Sequence, residues 1–326
     1  MLEAMMAAPT GDDVFGEDPS INELQTTVAG LFGFEAALFC PSGTQSNQIA
    51  IAVHARPGDE VICHRLSHIY NYEGGGIARL SGASVRLIDG EHCARGAMLA
   101  SDVALQINPD DSHFARTAVV SVEDTCNKGG GAIQDRAQLA ELSVLCRSRK
   151  LPLHLDGARA WNALSARPTD RANYGQQFDS ISLCFSKGLG APAGSLLLGS
   201  EAFIAQAHRQ RKVMGGGMRQ VGLLAAACTY ALNNHFEGLA DDHIRADQLG
   251  SALASHPQIQ AVLPVDTNIV IAQLARGRTP DEFLSHIAQT GIWAYPFGPD
   301  RVRFVTHRDI SDDHLNRAVA AIASWS

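Results

Sequence analysis

The chain has 326 residues, 45% of them hydrophobic and 18% charged. That balance is ordinary for a globular protein, with length enough for one large domain or two linked ones. A net charge of −8, with no basic stripe interleaved with aromatics, argues against a nucleic-acid binder.

Taken in chain order, Met1–Met6 lacks the basic and apolar regions of a secretory leader. No later stretch is apolar enough to span a bilayer. Gly11–Ser20, rich in glycine and aspartate, reads as a loop. A helix is predicted from about Ser20, with Glu23 placed for a capping box and Leu24, Val28 and Leu31 at helical spacing. Ala36–Cys40 reads as a strand, Pro41–Thr44 as a turn and Gln45–His54 as a helix. Further strands are predicted at Glu60–Cys63, Ser84–Ile88, Ala118–Val122, Leu151–Leu155, Ser180–Cys184 and Ser195–Leu198. Helices are predicted at Asp135–Arg149, Glu201–Lys212 and Arg219–Asn233. This alternation predicts an α/β fold around a mainly parallel sheet covered on both faces. Beyond Asn234 a polar helix (Gly238–His256) is followed by short strands near Asn268–Ala272, Trp293–Tyr295 and Arg301–Val305, and by helices at Pro280–Thr290 and Ser311–Trp325. The expected division is a large domain over 1–236 and a small α+β domain over 237–326.

Seven scattered cysteines without a C-x-x-C pair fit a reducing cytoplasm better than a disulfide framework or a zinc site. The candidate chemistry lies elsewhere. Lys187 follows an apolar strand in a glycine-containing loop, and Asp156 ends an earlier strand. Pyridoxal phosphate (PLP) enzymes need such a pair: an amine for the Schiff base, and a carboxylate that keeps the pyridine nitrogen protonated. Each residue also has a plain alternative, Lys187 as an exposed loop residue and Asp156 as a helix cap. Ser42-Gly43-Thr44, between a strand and a helix, is a weak phosphate-site signal. No dinucleotide or P-loop fingerprint is present. Arg159 could pair with a carboxylate or make an interface salt bridge. His68 could cover a cofactor ring and handle protons, or serve as a structural histidine. Arg219, after Gly215-Gly216-Gly217, could reach a phosphate or salt-bridge across a subunit boundary.

These segments occur together and in order, and the chain resembles the L-threonine aldolase family of fold-type I PLP enzymes, within the aromatic amino-acid β-eliminating lyase group. The resemblance rests on Gly11–Pro19, Pro41–Asn47, His68 with Glu73–Gly76, His113–Arg116, Leu155–Arg159, Ser186–Gly199, Gly215–Gln220 and Arg303–His307. It implies a three-layer α/β/α large domain with a small C-terminal domain. It also implies PLP as cofactor, no metal, and cleavage of threonine or allo-threonine to glycine and an aldehyde. Lys187 would carry the cofactor, Asp156 would pair with its ring nitrogen, Gly43 and Thr44 would hold its phosphate, and His68 would stack on the ring. Arg159 and Arg303 would clamp the substrate carboxylate. Arg219 would bind phosphate from a neighbouring subunit of a homotetramer, a dimer of dimers. The implied partners are a small amino-acid substrate and other copies of the chain, with no nucleic acid and no membrane.

Three departures stand out. Cys126, in Glu123–Asn127, replaces a second histidine near the substrate hydroxyl, and reads as a passive wall of the substrate pocket. Family chains usually begin with a segment containing Arg-Ser-Asp-Thr, and this chain opens downstream of it. Phe15 stands where many relatives have tyrosine. Loss of the second histidine leaves β-elimination, racemisation or transamination on the same scaffold as the alternative chemistry.

Overall fold

A computed structural model describes residues 1–325. Seven strands form the main sheet: β1 (Ala36–Cys40), β2 (Glu60–His64), β3 (Ser84–Ile88), β4 (Thr117–Glu123), β5 (Leu153–Gly157), β6 (Ser180–Cys184) and β7 (Ser195–Gly199). Their order is β1-β7-β6-β5-β4-β2-β3. The pairs from β6 through β5, β4 and β2 to β3 are parallel, and only β7 runs antiparallel to both of its neighbours.

Strand periodicity explains the layering. Along β1, Ala37 and Phe39 enter one apolar cluster, which includes residues of the helices Pro19–Phe32, Arg136–Ser148 and Gly222–His235. Leu38 and Cys40 point the other way, onto Ile49, Ala50, Phe203 and Ala207 of the helices Gly43–His54 and Glu201–Val213. Successive side chains on a strand face opposite sides, so a strand apolar throughout requires cover on both. The result is the three-layer arrangement expected from the sequence.

A second sheet, β8 (Ile259–Val262), β9 (Ile269–Leu274), β10 (Tyr295–Pro296) and β11 (Arg301–Val305), is antiparallel in the order β10-β11-β9-β8. It has its own core, including Val270, Ala272, Phe283, Phe304 and Trp325.

Several local expectations change. The first long helix is Pro19–Phe32, capped by Asp18, whose carboxylate accepts from Ile21 N at 3.1 Å. No capping box forms there, because Asp18 precedes a proline at the first helical position and Ser20 Oγ donates instead to Pro9 O at 2.7 Å. β5 begins two residues later than predicted and runs on through Asp156, which pairs with Glu123 on one side and Ser182 on the other. The helix Gly43–His54 starts two residues earlier than predicted, capped by Ser42. β8 was not expected, since Ile259–Val262 is too short to show a period.

Candidate active site

Parallel strands deliver their carboxyl ends to one edge, and that edge collects the candidate groups. Asp156 is buried in β5. Its Oδ1 accepts from Ala158 N at 3.2 Å, while Oδ2 is buried and has no partner among the described residues. On the adjacent strand, in register with Asp156, stands Glu123. Glu123 accepts from His68 N at 2.8 Å and from Asn127 N at 2.9 Å. Burial, and then the negative charge of Asp156, push the Glu123 carboxyl up from its ordinary value.

His68 stands next to them. Its Nδ1 is 2.9 Å from Glu73 Oε1, and one donor atom each from His68, Glu73 and Asp156 lie within 4.8 Å of one another. Its Nε2 has no hydrogen bond among the described residues. Burial draws the His68 pKa down, but the Glu73 hydrogen bond and the charges of Asp156 and Glu73 outweigh it, and the net direction is up. Glu73 is itself held by Asn47 Nδ2 at 2.9 Å and by Gln48 Nε2. Behind Asn47 the chain of polar contacts continues through His154 Nε2 (3.1 Å) to Ser180 Oγ (2.9 Å). Burial and the nearby His54 lower the His154 pKa to about 3, so this imidazole is neutral and serves as a spacer in the network.

Lys187 lies in the connection between β6 and β7, in a tight turn closed by Gly190 N donating to Lys187 O at 2.8 Å. Gly190 has φ +74, a conformation that favours glycine. The lysine is half-buried, and its charge acts on both His68 and Cys184. Nζ has no ion pair or hydrogen bond among the described residues. The start of the helix Gly43–His54 lies against Cys184. A Cβ on Gly43 would sit 2.4 Å from Cys184 Sγ, so the backbone approaches the end of β6 as only glycine allows.

Arg159 follows β5, and Arg303 lies on β11 of the other sheet. Burial lowers the Arg159 pKa. Burial, and then the positive charge of Arg159, bring Arg303 down to about 10. Both remain cations at neutral pH. Neither makes a salt bridge among the described residues, and Arg303 Nε is buried without a partner. Two desolvated guanidinium groups that repel each other could be satisfied by a shared anion such as a carboxylate.

The structure therefore brings Lys187, Asp156, His68, Arg159 and Arg303 into one electrostatic neighbourhood, beside the helix start that carries Gly43 and Thr44. Two other candidates are placed differently: Arg219 lies outside this neighbourhood, and Cys126 borders it through Glu123 and Asp156. Arg219 is ion-paired with Asp12 at 2.5 Å on an exposed surface. Cys126 is buried, with Sγ packed against Gly96, where a Cβ would lie 2.4 Å away. Burial, and the charges of Glu123 and Asp156, hold its thiol well above the ordinary range. The sequence reading gave Glu123 no role. Its signal was nonetheless that of Asp156: a carboxylate ending an otherwise uncharged, buried strand.

These residues fit PLP. The orphan Oδ2 of Asp156 is placed to accept from a protonated ring nitrogen. The helix start offers free N–H groups for a phosphate, and the lysine amine is uncommitted.

A family model described as "Beta-eliminating lyase" matches residues 1–276. A low specificity L-threonine aldolase of Escherichia coli is 42% identical, over 98% of this chain and 93% of that protein. A low-specificity L-threonine aldolase of Eremothecium gossypii is 36% identical, over 99% of this chain and 83% of that protein. Among solved structures, a Leishmania major threonine aldolase superposes with a TM-score of 0.80 at 22% identity, covering 97% of this chain and 92% of that one, a likeness of fold.

Proposed function

Because the chain belongs to the β-eliminating lyase family, alongside the low-specificity L-threonine aldolases, we propose that it is a PLP-dependent aldolase. It cleaves L-threonine, L-allo-threonine and related β-hydroxy-α-amino acids to glycine and an aldehyde. The observation that carries this reading is the pair of unpartnered, desolvated arginines beside an orphaned Asp156 oxygen. Such a site is built for an α-amino acid carboxylate next to a cationic ring.

Lys187, Asp156, His68 and the helix start at Gly43 and Thr44 would hold the cofactor. When bound, PLP captures amines and accepts the electron pair of a bond broken at the α-carbon. Arg159 and Arg303 grip the substrate carboxylate and fix the rotation about the α-carbon, which selects the bond that breaks. His68 Nε2, the nitrogen not tied to Glu73, takes the β-hydroxyl proton, and Glu73 stabilises the imidazolium that results. Cys126, protonated and turned onto Gly96, is a passive wall and supplies no base. Lys187 returns a proton to the glycine product.

The same proposal assigns 1–236 to cofactor binding and 237–326 to a smaller domain that contributes Arg303. The separate sheets and cores support that division. It includes a homotetramer, a dimer of dimers, in which Arg219 approaches a neighbour's phosphate. Exposed Phe15 beside Arg219 supports contact between copies there. A cytoplasmic location is proposed from seven free thiols.

The test is to load purified protein with PLP, add L-threonine or L-allo-threonine, and measure glycine and trapped acetaldehyde. Equal amounts of both products are expected, and none from Lys187→Ala. A keto acid, a D-amino acid or no acetaldehyde from either substrate would reject the aldolase reading.

A further inference from the structure

Away from that pocket, a second set of donors converges on the segment after β3. His92 Nε2 is 2.9 Å from Asp102 Oδ1, and the Cys93 thiol donates to Asp102 Oδ2 at 2.9 Å. The three donor atoms lie within 4.8 Å of one another. They come from two short stretches, Glu91–Gly96 and the first turn of the helix Ala100–Gln106. Cys93 is buried, Asp102 is 20% exposed at its side chain, and His92 is 64% exposed, so the cluster is walled on one side and open to solvent on the other.

The charges are unbalanced. Among the described residues Asp102 meets no lysine or arginine, and its only ionic partner is His92. Arg95, in the same stretch, is committed to Asp266, Gly129 O and Pro264 O. His64 is also near, but Nε2 bonds Cys93 O at 2.9 Å and Nδ1 accepts from Leu66 N, so it buttresses the cysteine backbone and has no lone pair to give. One imidazole, one thiol and one carboxylate thus bring their ligand atoms within 4.8 Å of one another, with no lysine or arginine paired to the carboxylate among the described residues. This nitrogen, sulfur and oxygen set suits a borderline-soft ion with tetrahedral habit, and an open fourth position is left for water.

We propose that His92, Cys93 and Asp102 form a zinc(II) site with three protein ligands. On binding, the Cys93 S–H bond breaks and its proton goes to solvent as the S–Zn bond forms. His92 Nε2 and one Asp102 oxygen exchange their mutual contact for the metal. Because the thiol gives up its proton to bind, binding tightens as pH rises. The bound ion would also brace the turn that places Gly96 against Cys126 and ties Arg95 to Asp266 of the C-terminal part of the chain.

The test uses the PLP-loaded protein, so that the cofactor occupies the pocket around Asp156. Cobalt(II) replaces zinc as a probe and reports sulfur ligation by a thiolate-to-metal absorption band. One ion per chain, a band abolished by added zinc, and release of about one proton per ion are expected. Cys93→Ser should remove the band. His92→Ala and Asp102→Asn, at the exposed side of the cluster, should each weaken binding by more than the roughly 10- to 100-fold that outer-shell partners cost. Circular dichroism checks that each variant folds. Wild-type protein without the band, a band that survives Cys93→Ser, or unchanged affinity in both other variants would overturn the assignment.

Discussion

At the scale of single residues, the candidate site is governed by who lacks a partner. Among the described residues Lys187, Arg159, Arg303 and one oxygen of Asp156 have no polar side-chain partner, whereas Glu73 is bound by His68, Asn47 and Gln48. Glu73 therefore sets both the orientation and the proton affinity of His68. Its hydrogen bond and charge raise the His68 pKa, so that in the proposed reaction the base, which must be neutral to act, would become active only as pH climbs past that raised value. Glu73→Gln removes the charge and keeps the shape. The acid limb of kcat/KM should then move to lower pH, while the plateau falls by about tenfold, less than the roughly 10²–10⁴ attributed to a proton-transfer group itself. A pH profile with an unmoved acid limb would show that Glu73 does not tune this imidazole. Lys187 and Asp156 were legible from sequence because each stands at a strand end in a glycine-containing run. The placement of Glu123 beside Asp156 was not, since the register between two strands is not a local property.

Among elements, the N-terminal arm is held by one buried ion pair. Asp13 Oδ2 is 2.9 Å from Arg211 Nη2, both side chains are almost fully enclosed, and Arg211 Nη1 donates to Phe39 O at 2.7 Å. The pair ties the short helix Asp13–Phe15 to the helix Glu201–Val213 and to β1. Asp13→Ala leaves a guanidinium buried and uncompensated, and should cost about 3–5 kcal/mol in denaturant unfolding. A loss below about 1 kcal/mol would mean that water reaches Arg211 and the arm is loosely seated. Elements with a clear period or a cap were readable in advance: β11 matches its predicted span, and the helix Asp312–Ala323 starts after its Ser311 cap. Where capping residues compete, as at Asp18 and Ser20, the proline at position 19 favours Asp18, and the tertiary contact of Ser20 with Pro9 takes the other hydroxyl out of contention.

For the whole molecule, the junction between the two sheets carries an electrostatic load. Asp242, on the helix Leu239–Ala254, lines a cavity with Gly188 and Arg308, just behind the Lys187 turn. Both its carboxylate oxygens are buried without a hydrogen bond among the described residues, and Arg245 is no nearer than 4.0 Å. Burial raises its pKa to about 6, against the partial relief of Arg245, His307 and Arg308. The folded chain thus holds this proton more tightly than the unfolded one. The stability so gained is complete below the unfolded pKa and is lost as pH rises through about 6. Asp242→Asn escapes that loss. Its advantage over the native chain should be near zero at about pH 4 and grow to at most about 3 kcal/mol at about pH 8. A difference in melting temperature that stays flat across this range would refute the account. The layered α/β architecture was legible in the alternation of apolar strands and helices. The load at Asp242 was not, because it exists only where the two sheets meet.

Arg159 hangs from one sheet and Arg303 from the other, which gives the carboxylate proposed to bind them a second office. An anion that satisfies both becomes a rivet across the seam, and its arrival relieves a repulsion that otherwise pries the halves apart. An amine stripped of its acid group could still visit the lysine, yet it would leave that seam unfastened. On the proposed function, selectivity for amino acids over simple amines would then rest on the mechanics of the chain as well as on its contacts.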